Sequence, residues 1–182
     1  MLEIDNRSSV AFAEEQQLRG TTWPVAWKAN AMSLNRAFEE LTTVSLADVK
    51  AMFDDVEPAG PSITASVLML GGFVVENLLK GLAAKKKKIP IVKGRPKFVH
   101  HGLVALALDA EVDLSAEEEV LLQRLTEFIM WAGRYPAPQN VNSLRGYTNR
   151  NGGFGGLTSM SAPTDFADTS SIIARLFALL DA

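Results

Sequence analysis

The sequence of 182 residues contains no cysteine, which excludes disulfide bonds and thiolate metal sites. Its only two histidines, His100 and His101, are adjacent, and two adjacent imidazoles with no cysteine cannot converge on one metal without distant carboxylates. We therefore expect no metal and no cofactor. Stability must come from packing, and a composition of 47% hydrophobic and 21% charged residues is typical of one globular domain. Residues 1–182 are expected to form that single domain.

The sequence also lacks an obvious export or membrane signal. The N-terminal region carries the acids Glu3 and Asp5 and has no basic start followed by an apolar run, so no secretory signal is predicted. The longest apolar run, residues 65–75, is interrupted by Ser66 and two glycines and is shorter than the roughly 20 residues that span a bilayer. We expect a cytoplasmic protein without membrane contact.

No internal repeat and no strong β-strand pattern is found, and only residues 89–92 could be extended. Helical spacing recurs instead, so the predicted fold class is all-α. The predicted elements are an N-terminal arm or short helix (1–20), a core helix that starts at Trp23, a short helix capped by Ser45, a third helix from Ser62, a short fourth helix ending near Leu108, a fifth helix with a Ser115–Glu118 capping box, a long Gly/Asn-rich loop (139–167) and a C-terminal helix (168–181) capped by Asp168.

The third helix is expected to be the central one, because its apolar residues cover most of the circumference. Gly71 and Gly72 interrupt it, and each costs about 1 kcal/mol in a helix interior relative to alanine. Their use is therefore expected to be the close approach of a neighbouring helix or of a second subunit.

Acidic residues are absent between Glu76 and Asp109, a stretch that carries eight basic residues in a chain of net charge −3. This asymmetry predicts a localised anionic partner. The lysines that follow the third helix, here called the basic connector, are candidate nucleic-acid contacts: Lys85, Lys86, Lys87, Lys88, Lys93 and Lys97. A solvated lysine loop that only keeps the protein soluble explains the same charge run.

Glu76 and Lys80 lie four residues apart, so they share one face of the third helix and can pair. An exposed pair would be a local helix contact, whereas a buried pair would need further charged or polar partners. His100 and His101 stand at the start of the next helix, where backbone N–H groups favour an anion. Either histidine could instead serve only as a cap or a core hydrogen-bonding group.

Arg134 and Tyr135 follow the fifth helix and complete the set of candidate ligand-binding residues. An arginine offers a planar fork for phosphate, and an aromatic ring offers a surface for base stacking. The helix dipole alone also explains an arginine at this end of a helix.

Together these residues resemble the HEPN (higher eukaryotes and prokaryotes nucleotide-binding) superfamily over residues 62–138. Family members carry a helical E-x-x-x-K, then G-H-D-L at the head of the next helix, then R-Y-P. The corresponding residues are Glu76 and Lys80, residues 100–103 with His101 in register, and residues 134–136. Gly102 stands where the family has an acidic residue.

This resemblance implies an all-α, HEPN-like helical bundle of four to five core helices plus a C-terminal helix. It also implies a homodimer, RNA or nucleotide binding, and a toxin–antitoxin or defence context with a cognate antitoxin or regulatory protein as partner. Many members are not enzymes, so a structural or regulatory dimerisation module is an open alternative.

The family's ribonucleases carry an arginine and a histidine separated by four to six residues, and Arg95 and His101 have five residues between them. In a metal-independent ribonuclease, His101 would act as general acid or base and Arg95 would stabilise phosphate charge. Pro96 occupies the position after the arginine, where the family usually has a polar residue. Ribonuclease activity is thus the second alternative, behind binding.

Overall fold

The computed structural model describes residues 6–58, 60–89, 91–92, 95–96, 101–135, 147–148, 152, 154–155 and 162–182. The predicted all-α class is confirmed, since six helices make up most of these residues. They are α1 (Asn6–Thr22), α2 (Pro24–Phe53), α3 (Thr64–Lys85), α4 (Leu103–Asp109), α5 (Ala116–Glu127) and α6 (Ala162–Asp181). Two pairs of two-residue antiparallel strands accompany them: β1 (Ile91–Val92) with β2 (Arg95–Pro96), and β3 (Tyr147–Thr148) with β4 (Phe154–Gly155).

The central position of α3 is confirmed, because this helix packs against α2, α4, α5 and α6. Four of its apolar residues, Val67, Val74, Leu78 and Leu79, are completely buried. By length and composition α3 could also cross a membrane, with a mean hydropathy of 1.5 over its most apolar 18 residues, of which 78% are buried inside the protein. The helical bundle itself therefore accounts for the apolar character of α3.

The two glycines of α3 are used for helix contacts within the chain. A Cβ atom at Gly71 would lie 2.8 Å from Thr169 Cγ2 on α6 and 3.0 Å from Phe38 Cε2 on α2. A Cβ atom at Gly72 would lie 2.7 Å from Ile129 Cγ2, in the segment that follows α5. The predicted close approach is thus confirmed, and the neighbours are α2, α6 and the end of α5.

The prediction of two separate helices on either side of Ser45 is wrong, because α2 is continuous over 30 residues. Pro24 does occupy a first-turn position, as predicted. Ser45 is 1% exposed and its Oγ lies 3.0 Å from Oγ1 of Thr64, the first residue of α3. A serine that looks like a cap in the sequence is therefore a buried contact between two helices.

The Ser115–Glu118 capping box is confirmed at the start of α5, and α5 continues as a π-helical segment, Phe128–Ala132. The prediction that Asp168 caps the last helix is wrong, since α6 begins at Ala162 and Asp168 lies within it. Two contacts hold the turns of α6 that precede Asp168 in place. Phe166 packs edge-to-face on Phe38, and Asp165 pairs with Arg124. The predicted loop 139–167 is shortened accordingly.

Candidate functional site

Glu76, Lys80 and His101 form a cluster around one carboxylate oxygen. Glu76 Oε1 accepts a hydrogen bond from Lys80 Nζ and lies 2.9 Å from Nδ1 of His101. The Glu76 and Lys80 side chains are only 7% and 8% exposed, whereas that of His101 is 60% exposed. The pairing predicted from the four-residue spacing is present, and it takes the buried form with a third partner.

Trp27 of α2 contacts the cluster next to Lys80. The Lys80 ammonium lies 5.5 Å from the centroid of the Trp27 ring, within the range of a cation–π contact. The indole Nε1 of Trp27 donates to the carbonyl oxygen of Thr21, 2.8 Å away, which holds the ring in place. The buried ammonium is thus stabilised by a carboxylate and by an aromatic face.

The second carboxylate oxygen of Glu76, Oε2, is buried and has no hydrogen-bond partner within the described part of the chain. A carboxylate has acceptor sites on both oxygens, and a buried acceptor without a partner costs about 1–3 kcal/mol. Glu76 can therefore accept a further donor at Oε2.

The position of His101 is fixed by a contact of its ring and by a backbone hydrogen bond two residues later. Its Nδ1 engages Glu76, and two residues further on the backbone N–H of Leu103 donates to Thr126 Oγ1 at 3.1 Å. Thr126 is itself anchored, because its hydroxyl donates to the Leu122 carbonyl oxygen at 2.8 Å. A carboxylate on Nδ1 fixes the orientation of the ring and leaves Nε2 for proton transfer or for contact with an anion.

The structure assigns different tasks to the lysines of the basic connector. Lys85 Nζ donates to the Leu180 carbonyl oxygen at 2.9 Å and so caps the end of α6. Lys86 and Lys88 both pair with Glu111, at 3.7 and 3.0 Å. Lys87 is exposed, and its side chain has no described partner.

Glu111 partly neutralises the connector. The hydrogen bond and positive charge of Lys88, together with the charge of Lys86, hold the pKa of the Glu111 carboxyl below its ordinary value of 4.5. The Glu111 side chain is exposed, so an anionic ligand can compete with it for the two lysines. The positive surface available to a ligand is therefore centred on Lys87 and extends to Lys86 and Lys88.

Arg134 and Tyr135 are exposed and contact each other rather than the cluster. The Arg134 guanidinium donates to the Met130 carbonyl oxygen at 2.6 Å and stacks at 5.4 Å from the Tyr135 ring centroid. The neighbouring Gly133 packs against Met69, seven residues before Glu76, which corresponds to about 10 Å along α3. The described contacts of Arg134 thus support the helix-end interpretation.

Several predicted residues are only partly described or lie outside the described part of the chain. Lys93, Lys97 and His100 are outside it. Arg95 is described through its backbone alone, which pairs with Val92 in the small hairpin. The spatial relation between Arg95 and His101 therefore stays a prediction.

Sequence reasoning missed a buried ion pair between α5 and α6. Arg124 Nη2 donates to Asp165 Oδ1 at 2.7 Å, and their side chains are 10% and 3% exposed. Because 41 residues separate the two, no local spacing signals the pair. Sequence reasoning also missed Trp27 as the partner of Lys80. An aromatic residue on a core helix is only a weak signal of a cation–π contact.

Within the described ranges, no group of three or more His, Asp or Glu side chains is arranged to hold a metal ion. The cluster can instead position an imidazole against solvent by means of a buried carboxylate. Comparison with known proteins finds no matching family model, no matching curated protein and no matching solved structure.

Proposed function

We propose that the protein binds RNA, or the phosphate of a nucleotide, at a surface formed by His101 and the basic connector. One observation carries the proposal: buried Glu76 bonds Nδ1 of an imidazole that is 60% exposed. The ring is thereby presented to solvent in one orientation, at the head of α4. Phosphate oxygens accept hydrogen bonds from such a group.

Charge and spacing favour an extended ligand over a small one. Glu76 and Lys85 are nine residues apart on α3, which separates them by about 14 Å along the helix axis. This separation favours a ligand that extends along α3 from His101 towards Lys87. Single-stranded RNA of several nucleotides can do so, whereas a mononucleotide engages one end of the surface only.

The resemblance to HEPN proteins also favours nucleotide or RNA binding. Two of its three motifs supply the residues of the cluster, namely Glu76, Lys80 and His101. It extends the proposal to a cytoplasmic toxin–antitoxin or defence role with a cognate antitoxin or regulatory protein.

The test is the salt dependence of RNA binding, measured by fluorescence anisotropy on a labelled single strand. For single strands, the slope of log affinity against log salt falls by about 0.7 for each phosphate contact removed. We expect Lys87→Asn combined with Lys88→Gln to lower the slope by about 1.4. The matched control is Arg36→Gln combined with Lys50→Gln, which changes the net charge equally on the exposed side of α2.

His101→Gln is expected to weaken RNA binding. It is expected to change the salt slope less than the double lysine variant does. Equal effects of the lysine pair and the α2 control would contradict a localised site. Absence of salt-dependent binding would contradict the RNA proposal as a whole.

Metal-independent ribonuclease activity is a second candidate, favoured by the bond between Glu76 and His101. In such a reaction an RNA 2′-hydroxyl loses its proton to a base and attacks the adjacent phosphorus. The 5′-oxygen leaves with a proton from an acid, which yields a 2′,3′-cyclic phosphate and a 5′-hydroxyl end. The candidate requires RNA cleavage in the presence of a chelator that is lost in both His101→Ala and Arg95→Ala. Intact RNA across varied substrates would exclude it.

A structural dimerisation module is a third candidate, favoured by an apolar surface at the end of α2. Met52, Phe53 and Val56 are 67%, 85% and 57% exposed. A homodimer through this surface is expected to dissociate in Phe53→Asp when followed by sedimentation. A monomeric parent protein at micromolar concentration would rule out this candidate.

A further inference from the structure

A pocket of about 490 Å³ lies where the end of α3 meets the junction of α1 and α2. Its described lining consists of Thr22, Pro24, Ala84, Lys85, Lys87 and Ile89. Pockets that bind small ligands typically measure about 300–1,000 Å³ and combine apolar walls with a few polar groups. This pocket has the size and the composition of a ligand site.

The walls are aliphatic and the charge sits at the rim. Pro24, Ala84 and Ile89 contribute hydrocarbon surface. The lysines add their methylene stems, while their ammonium groups can reach solvent. The pocket therefore suits a molecule that is apolar at one end and negatively charged at the other.

The two lysines differ in availability. Lys85 is committed to the carbonyl oxygens of Leu180 and Leu179, at 2.9 and 3.4 Å. Lys87 has a left-handed backbone conformation with φ of 55° and is exposed, and its side chain has no described partner. The anionic end of a ligand would therefore be held by Lys87, with Lys85 adding its charge from the side.

We propose that this pocket binds a small amphipathic anion with an aliphatic body and a carboxylate or phosphate head. This goes beyond the RNA proposal, because the recognised part is a hydrocarbon chain. A nucleobase fits the described lining poorly. Among these residues there is no aromatic ring to stack on it and no amide or carboxylate side chain to read its edges.

The experiment is isothermal titration calorimetry of the full chain with decanoate and with decyl phosphate, each below its micellar concentration. Saturable one-to-one binding of either one is expected, and the better of the two identifies the head group. Decanol is expected to bind about threefold to fivefold more weakly, since an exposed ammonium adds little more than that. Decyltrimethylammonium, which has the same body and the opposite charge, is expected to bind more weakly still.

Two variants tie the binding to the pocket. Lys87→Asn removes the charge with a residue that tolerates a left-handed backbone, and it is expected to bring decanoate down to the affinity of decanol. Its control is Lys50→Gln, because Lys50 is about 39 Å along α2 from Pro24. Ala84→Met places extra volume in the pocket and should weaken all the decyl compounds.

Three results would overturn the proposal. The first is no saturable binding of either anion, and the second is equal affinity for the decyl anions and the decyl cation. The third is binding that Lys87→Asn changes no more than Lys50→Gln does. Helical circular dichroism of each variant verifies that the comparison is made between folded proteins.

Discussion

Replacing Glu76 by glutamine tests whether Glu76 and Lys80 are both charged and buried. The substitution keeps the shape of the side chain and removes the negative charge beside an ammonium that is 8% exposed. Removing one member of a buried ion pair typically costs about 3–5 kcal/mol. Lys80 retains its contact with the Trp27 ring, so we expect a loss at the lower end, about 3 kcal/mol.

A loss of this size is a large share of the total for a domain of this length, whose free energy of unfolding is of the order of 5–15 kcal/mol. It corresponds to a fall in Tm of about 6–12 °C. Urea unfolding followed by circular dichroism measures it, with the midpoint shifted and the slope unchanged.

The double variant Glu76→Gln with Lys80→Met completes the cycle. Removal of both charges is expected to recover most of the lost stability, because uncharged replacements of similar volume are well tolerated at buried pairs. A cost below about 0.5 kcal/mol for Glu76→Gln alone would refute the description of Glu76 and Lys80 as a buried charged pair. So would a double variant no more stable than Glu76→Gln.

Four further substitutions have clear expected outcomes. Gly72→Ala is expected to destabilise by about 1 kcal/mol, because the helix-propensity gain is smaller than the cost of the 2.7 Å Cβ contact. In contrast, Gly20→Ala, with nothing within 4 Å, should stabilise α1 or leave it unchanged in thermal unfolding. Asp165→Asn is expected to cost about 3 kcal/mol in urea unfolding, because it leaves Arg124 charged in the core. Glu111→Gln is expected to lower stability at pH 7 and to have a smaller effect at pH 3. The lowered pKa of Glu111 contributes stability above its ordinary value of 4.5, and this contribution disappears as the pH falls through the folded-state pKa. A variant equally impaired at both pH values would contradict that assignment.

Local patterns in the sequence predicted the elements whose signals lie within one helix. The apolar circumference of α3, the capping box of α5 and the four-residue spacing of Glu76 and Lys80 are all of this kind. Each depends on neighbours within a turn or two, so the sequence alone carries the signal.

The wrong predictions come from contacts between distant parts of the chain. Ser45 has the composition of a cap, yet its partner is Thr64 on another helix. The early start of α6 depends on Asp165 meeting Arg124, and no local rule predicts this contact. Periodicity also could not decide whether the pair in α3 is exposed or buried, since that depends on the position of Trp27 and His101 around it.

The most direct test of the proposed site is an NMR titration that follows the His101 imidazole while single-stranded RNA is added. The His101 resonances are assigned with the variant His100→Gln, in which His101 gives the only histidine signal. If the proposal is correct, RNA shifts the His101 resonances in a saturable way at low salt, and the shift is reversed by added salt. RNA binding that leaves the His101 resonances unchanged, while the signals of another surface move, would contradict it.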